Sequence, residues 1–95
     1  MYKSMNKWAQ RRRAAEAIKT EYPKGTRVVV LQMTQAIVIP KGEQLRPIPA
    51  FTRGTVDFVD DTGTVHCYFD NGRYAGLIAD QDDFRKLTKQ EEAEE

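Results

Sequence analysis

The chain has one cysteine, one histidine and no long apolar run, and these shortages exclude several classes of function. A single Cys67 excludes an internal disulfide, and its place between two apolar strand positions indicates a small buried residue. No stretch approaches the roughly 18 apolar residues that cross a bilayer, and the N-terminus lacks the apolar segment of a secretion signal. We therefore expect a soluble, intracellular protein without a membrane partner.

Residue combinations that carry catalysis or bind metals are also scarce. A nucleophile needs a neighbouring base, but His66 and Cys67 are adjacent on a predicted strand and point to opposite faces. With one histidine and one cysteine, a zinc site would need carboxylate ligands, and no Gly-rich phosphate loop occurs. The acidic residues 80–83 lack the interior Gly and distal Glu of a helix-loop-helix calcium site. We expect no enzyme activity, metal or cofactor.

Charge is nearly balanced overall but unevenly distributed. The 95 residues carry a net charge of +1. Residues 1–27 contain eight Lys or Arg against two Glu, a net +6, and residues 80–95 contain seven acids against three bases, a net −4. This distribution fits neither a uniformly basic nucleic-acid binder nor an acidic mimic of DNA. We expect the partner to contact one end of the molecule.

Residues 54–72 show the alternation of two half-buried β-strands. Val56 and Phe58 alternate with polar neighbours, as do the apolar residues of 65–69, which predicts that Val56 and Phe58 share a buried face. Residues 60–63 and 70–72 contain the Asp, Asn and Gly typical of tight turns. The stretch therefore predicts a β-meander. Further strands are predicted at 27–33, 73–78 and 84–87.

A helix is predicted over residues 5–20, before Pro23. Its apolar stripe is expected to dock on the β-domain and contains Trp8, Ala15, Ile18 and Tyr22. Residues 11–13 are three consecutive arginines, which spread over about 200° of a helix and form no flat patch. They are compatible with a solvated face, with phosphate contact, or with docking to an acidic protein.

The connection over residues 34–53 is long for a compact domain. Residues 37–39 are β-prone, 40–42 form a plausible turn, and 44–46 return as a partner strand. We interpret the segment as a hairpin arm that either folds back on the β-domain or faces a partner or second copy. The resulting division is a basic helix at 1–22, a β-domain at 23–88 with its arm at 34–53, and a frayed acidic tail at 89–95.

The strand pattern resembles SH3-like barrels, since five short strands follow a long first connection and tight later turns. Gly54-Thr55-Val56 and Phe69-Asp70-Asn71-Gly72 resemble strands of Tudor-like and KOW-like modules. An ordered set of motifs resembles a small family of uncharacterised domains of phages and conjugative elements of Gram-positive bacteria: Pro23-Lys24-Gly25-Thr26-Arg27-Val28, Pro47-Ile48-Pro49, Gly54-Thr55-Val56, Val59-Asp60-Asp61-Thr62-Gly63, Asp70-Asn71-Gly72 and Asp83-Phe84.

The resemblance covers residues 23–87 and leaves the helix outside. It implies a mainly β fold, a small SH3-like barrel of about five antiparallel strands. Together with the helix predicted from the residues themselves, the expected fold is this barrel preceded by an N-terminal α-helix. The resemblance also implies the cytoplasm of a bacterial host. It transfers no activity and no site residues.

Two functions remain open. The first is a non-catalytic module of a phage or mobile element that binds a host or phage protein; from its size and setting, we consider inhibition of a defence nuclease such as a CRISPR effector. Its predicted partner-binding residues are Ile37, Ile39, Leu45, Arg11 and Arg12.

The second possible function is that of a nucleic-acid-binding accessory protein. Its predicted contacts are Lys7, Arg11, Arg12, Lys19 and Lys24 on phosphates, and His66, Tyr68 and Tyr74 as stacking surfaces. Monomer and homodimer both remain open.

Overall fold

The structure is a computed structural model that describes the backbone of residues 3–33, 37–38, 44–45 and 47–95, with side chains at 12–33 and 47–95. Helix α1 spans Lys3–Glu21 and the short helix α2 spans Lys89–Ala93. The strands are β1 (Arg27–Gln32), β2 (Ile37–Val38), β3 (Gln44–Leu45), β4 (Arg53–Val59), β5 (Thr64–Phe69), β6 (Tyr74–Ile78) and β7 (Asp83–Lys86). No helix in these ranges combines the length and apolarity needed to cross a bilayer.

Five antiparallel strands form one sheet in the order β6-β5-β4-β1-β7. The predicted mainly β architecture with an N-terminal helix is therefore confirmed. The predicted closed barrel is not found, because β6 and β7 each pair on one side only among the described strands. The sheet is open, and the first strand lies at its centre, between β4 and β7.

One face of the sheet, which we call the inner face, carries the hydrophobic core. Its buried residues are Val28, Val30, Ile48, Val56, Val59, Val65, Cys67, Phe69, Ala75 and Leu77. Gly54 permits close packing here, since a Cβ would lie 2.7 Å from the Phe69 ring. Ile18 of α1 and Tyr22, which directly follows the helix, pack against this core, and Ala15 is buried, so three members of the predicted stripe are confirmed. The side chain of Trp8 lies outside the described residues.

The prediction that Phe58 shares the buried face of Val56 is wrong. Val56 pairs with Cys67 and Phe58 pairs with His66, so Asp57 is an extra residue without a partner in β5. Such a β-bulge reverses the alternation of the residues that follow it. Phe58 consequently lies on the opposite face of the sheet, 48% exposed, and Val59 enters the core in its place.

The long connection is described at its two short strands and from residue 47 onward. Ile37 pairs with Leu45 and Val38 with Gln44, as the predicted hairpin requires. Residues 34–36, 39–43 and 46 lie outside the described residues, and so do the side chains of the paired positions. Ile48 then enters the core, and a turn closed by a 3.2 Å bond from the Thr52 N–H to the Pro49 carbonyl leads into β4.

The C-terminal residues form a capped helix, where the sequence predicts a frayed acidic tail. Thr88 and Glu91 make a capping box, in which the Thr88 hydroxyl accepts from the Glu91 N–H and the Glu91 carboxylate accepts from the Thr88 N–H. No residue of α2 is buried. Its position is therefore determined by polar contacts, which the next section describes.

Candidate functional site on the outer face

The face of the sheet opposite the core, here the outer face, carries the candidate site. The strand register places one row of side chains across four strands: Arg27 on β1, Thr55 on β4, Tyr68 on β5 and Tyr74 on β6. A neighbouring row contains Phe58 on β4 and His66 on β5. On β5, alternation places His66 and Tyr68 on this face, since residues two apart share a face. On β4, the bulge at Asp57 brings Phe58 to the same face as Thr55.

Four of these residues form a continuous aromatic strip, defined as Phe58, His66, Tyr68 and Tyr74. The Phe58 and His66 rings stack at 4.5 Å between centroids, and the His66 and Tyr74 rings lie 6.2 Å apart. Tyr68 and Tyr74 meet edge to face at 4.6 Å. Tyr68 is 59% exposed and Tyr74 45%. The strip thus presents a row of apolar rings to solvent on a paired sheet.

Two carboxylates fix the orientation of the strip. The Asp60 Oδ2 atom lies 2.8 Å from His66 Nε2, and its Oδ1 accepts from the backbone N–H groups of Thr62 and Thr64. Burial opposes ionisation of Asp60, but the hydrogen bonds from Thr62, His66 and Thr64 outweigh it and hold the pKa of Asp60 well below its usual range. An ionised carboxylate only accepts, so the His66 Nε2 atom carries a proton in this contact.

Asp57, the bulge residue, orients the other end of the strip. The Tyr74 hydroxyl donates to Asp57 Oδ2 at 2.8 Å. Partial burial and this bond to a charged acceptor raise the pKa of Tyr74 to about 12. The bulge therefore moves Phe58 to the outer face and supplies the carboxylate that holds Tyr74.

The other half of the outer face carries an arginine surface, defined as Arg27, Arg53 and Arg85 on β1, β4 and β7. Val29 lies between Arg53 and Arg85 in the strand register. Arg27 binds both oxygens of Asp70, at 2.9 and 2.7 Å, and donates to Thr55 Oγ1 at 3.1 Å. This Thr55 contact joins the arginine surface to the Tyr68 end of the aromatic strip.

The acidic side chains of the C-terminal segment cover the arginine surface. Arg85 binds both oxygens of Glu91, at 2.7 and 3.1 Å. Arg27 binds both oxygens of Glu95, and Arg53 lies 3.6 Å from one of them. The Arg85 bonds, followed by the Thr88 N–H, lower the pKa of Glu91 to about 2. Three arginines thus face three carboxylates, those of Asp70, Glu91 and Glu95.

The predicted nucleic-acid contacts separate into two groups. His66, Tyr68 and Tyr74 lie together in the aromatic strip. Lys19 binds Asp61 at 2.7 Å, while Lys19 and Lys24 line a groove of about 410 Å³ that includes Phe58. Arg12 is exposed and lines a second groove of about 490 Å³, with Ile18, Asp61 and Ile78.

The remaining predicted contacts fall on parts whose side chains are not described. Those of Lys7, Arg11, Ile37 and Leu45 lie outside the described residues, and so does all of Ile39. The structure therefore brings three of the predicted stacking residues together and places two lysines at the end of their strip. It does not place the hairpin arm or the first two turns of α1 relative to them.

Sequence reasoning missed Phe58 and all three residues of the arginine surface. No local pattern connects Arg27, Arg53 and Arg85, because their meeting depends on the strand order β7-β1-β4. Phe58 was missed because the bulge at Asp57 overrides the alternation of its strand.

The described residues provide little for covalent or metal chemistry. Cys67 is buried on the inner face, and burial, with a smaller contribution from Asp57, raises the pKa of its thiol to about 12. No cluster of three or more His, Cys, Asp or Glu suited to a metal ion occurs in the parts of the chain that the structure describes. The site therefore consists of exposed rings, a covered cationic surface and the carboxylates that hold both.

Comparisons with known proteins provide a family. No curated protein and no solved structure matches the chain. A family model, described as a domain of unknown function (DUF4314), matches residues 11–87. The match begins inside α1, so the expectation that the helix lies outside the family region is corrected for its C-terminal half. Because this match spans most of the sequence, the chain belongs to the DUF4314 family.

Proposed function

We propose that this protein is a non-catalytic binding module that engages a partner protein through the aromatic strip. The observation that carries the proposal is the continuous exposure of Phe58, Tyr68 and Tyr74 on a paired sheet. Exposed aromatic rings held in fixed orientations lose little conformational freedom on binding, and Tyr is enriched at the energetic centres of interfaces. The bonds to Asp57 and Asp60 provide that fixed orientation.

Local charge favours a protein over a nucleic acid as the partner. The carboxylates of Asp57 and Asp60 lie beside the rings and repel phosphates. Lys19, a helical cation of the predicted set, is bound to Asp61. A protein surface can offset the two carboxylates with cationic groups, whereas the phosphates of a nucleic acid add further negative charge.

Nucleic acid is the second candidate, and one observation favours it. The groove lined by Lys19, Lys24 and Phe58 joins two cations to the end of the aromatic strip. Proteins that bind single strands combine stacking rings with cations that follow the backbone. In this arrangement His66, Tyr68 and Tyr74 contact bases, and the helix contacts phosphates.

The biological setting is part of the same proposal. The sequence motifs resemble domains of phages and conjugative elements. The central position of β1, between β4 and β7, supports an SH3-like strand arrangement with an open sheet. We propose a cytoplasmic role in a bacterial host, with a host or phage protein as target. Inhibition of a defence nuclease, such as a CRISPR effector, is the specific form of this role that we would test first.

The experiment is a pull-down from lysate of a Gram-positive host with the tagged full-length chain, with and without nuclease. We expect a stoichiometric protein that survives nuclease treatment. Tyr68→Ala should reduce its capture about tenfold or more, because truncation of a central aromatic residue costs an interface on the order of 2 kcal/mol. Phe51→Ala is the matched control, since Phe51 is an exposed aromatic residue outside the strip.

Other outcomes identify other surfaces. Retention of nucleic acid alone, weakened steeply by salt and lost in a Lys19→Ala/Lys24→Ala variant, would replace the first candidate by the second. Loss of the protein partner in Ile37→Asp or Ile39→Asp, with Tyr68→Ala unaffected, would move the interface to the hairpin arm. Loss after substitution of Arg11 and Arg12 by Ala would move it to the helix.

A further inference from the structure

The C-terminal segment covers part of the outer face without contributing to the core. Val29 and Leu87 are buried, yet they alternate with residues of the inner face and so lie on the outer face. The Leu87 N–H donates to the Arg27 carbonyl, which places Leu87 next to the arginine surface. A small apolar centre surrounded by three arginines thus lies where α2 is attached.

The attachment of α2 is weak compared with that of the strands. The helix is five residues long, and none of its residues is buried. The contacts that hold α2 and the two residues after it on the sheet are ion pairs and hydrogen bonds of Glu91 and Glu95, at solvent-accessible positions. Exposed ion pairs contribute little each, and segments with few apolar contacts open at low free-energy cost. The arginine surface can therefore be uncovered without unfolding the sheet.

We propose that Arg27, Arg53 and Arg85 form a carboxylate-binding surface for an acidic helical segment of a partner protein, and that α2 occupies it from within the same chain. The occupant defines the ligand chemistry. Glu91 lies in α2, and Glu95 lies two residues beyond its end, in a turn closed by a 3.2 Å bond from the Glu95 N–H to the Glu92 carbonyl. Each of the two carboxylates contacts two arginines. Guanidinium groups bind carboxylates through paired hydrogen bonds, as Arg85 and Arg27 do here.

Charge complementarity supports the same occupant. With α2 displaced, Asp70 is the one carboxylate among the described residues that stays bound to the three arginines, so the exposed surface gains cationic character. Arginines around an apolar centre are typical of strong interface contacts. The surface is separate from the aromatic strip, so this proposal does not depend on the proposed function.

The test uses the full-length chain and a peptide with the sequence of residues 88–95, TKQEEAEE, as the probe. In the Glu91→Gln/Glu95→Gln variant, neutral amides replace the two carboxylates that bind the arginines from within the chain. The added peptide then no longer competes with carboxylates that the chain itself holds close to the arginine surface. We expect the backbone NMR signals of Val29, Arg53 and Arg85 to shift at roughly tenfold lower peptide concentration than in the wild type.

Four controls separate recognition from general charge. Glu92→Gln/Glu94→Gln removes the same charge from the same segment but leaves the arginine contacts, so it should behave as the wild type. A peptide with every Glu replaced by Gln should not bind. Adding Arg85→Gln to the Glu91→Gln/Glu95→Gln variant should abolish binding, whereas adding Tyr68→Ala should preserve it.

The proposal is overturned if the acidic peptide leaves the arginine surface unshifted in the Glu91→Gln/Glu95→Gln variant. It is also overturned if wild type and variant bind the peptide equally, since α2 would then not occupy the same site. A ten-nucleotide oligo-dT that shifts these signals where the peptide does not would assign the surface to nucleic acid instead. Unchanged thermal unfolding of each variant's sheet confirms that the comparison is between folded proteins.

Discussion

At the level of single residues, Phe51 combines strain with exposure. It has a φ of 69°, the one non-glycine residue with positive φ in the described part of the chain, and it is 78% exposed. The left-handed backbone conformation costs a residue with a Cβ about 1–2 kcal/mol, and glycine avoids this cost. Glycine has its own cost of about 0.5–1 kcal/mol, because its more flexible backbone loses more entropy on folding. Little burial is lost when the exposed ring is removed. We predict that Phe51→Gly raises the free energy of unfolding by about 0.5–1 kcal/mol in urea denaturation.

The neighbouring Ala50 is the matched control, because it lies in the same turn without positive φ. Ala50→Gly should lower stability by about 0.5–1 kcal/mol, since glycine there brings only its entropy cost. A Phe51→Gly variant that is less stable than the wild type would mean that the ring has packing contacts in solution. In that case Phe51 would be part of the fold, and its strain would be offset locally.

The aromatic strip shows how one residue limits sequence reasoning. His66, Tyr68 and Tyr74 were predicted to face outward, and they do, because their strands alternate without interruption. Phe58 was predicted to face the core because a bulge has no reliable signature in a single sequence. Asp57 is an ordinary strand residue in the pattern, and the pairing with β5 alone reveals that it is extra.

At the level of elements, the attachment of α2 should depend on pH. Contacts with Arg85 and the Thr88 N–H lower the pKa of Glu91 from 4.5 to about 2. A carboxylate whose pKa is lower in the folded state stabilises that state fully above its unfolded pKa. This stabilisation is lost as the pH falls. We predict that α2 detaches between about pH 4.5 and about pH 2, as followed by the NMR signals of the Thr88 amide and the Arg85 guanidinium.

In Glu91→Gln these two signals should lose the transition, because the titrating group is gone. The Glu92→Gln variant should keep it, because Glu92 makes no contact with the arginine surface among the described contacts. If Glu91 of the wild type titrates with a midpoint near pH 4.5, the Arg85 contact is not maintained in solution. The internal occupancy of the arginine surface would then lack its main support.

The C-terminal helix was missed because composition and length both argue against it. Residues 89–95 are strongly acidic, and a helix of this length is unstable alone in water. Part of what stabilises it lies far away in sequence, since Arg53 of β4 contacts Glu91 and Arg27 of β1 contacts Glu95. The Thr88 and Glu91 capping pair was the available local signal.

At the level of the whole molecule, the strands and the main helix were predictable and the sheet closure was not. Local alternation and turn residues locate β4, β5 and β6 within one or two residues, because these features act over short distances. Closure depends on how strongly the strands twist and bend, which arises from their joint packing. The outer face is therefore known only once the order β6-β5-β4-β1-β7 is known.

Cys67 reports on the stability of the whole molecule. It lies on β5 with no exposed surface, in the core shared by β1, β4 and β6. Burial raises the pKa of its thiol to about 12, so the reactive thiolate is nearly absent in the folded state. We predict that thiol labelling requires global unfolding. The free energy derived from labelling rates should then equal that from urea denaturation.

Variants of different elements make this prediction specific. Phe51→Gly should slow Cys67 labelling in proportion to its gain in global stability. In Glu91→Gln/Glu95→Gln, the free energy derived from labelling should change by no more than the free energy of unfolding in urea, since α2 does not cover the inner face. A free energy from labelling that is much lower than the free energy of unfolding in urea would instead indicate local opening. The strand that opens would be β6, which is an edge strand and lies next to Cys67. Because the aromatic strip is partly carried by β6, such opening would also mean that the strip is not rigid before it binds.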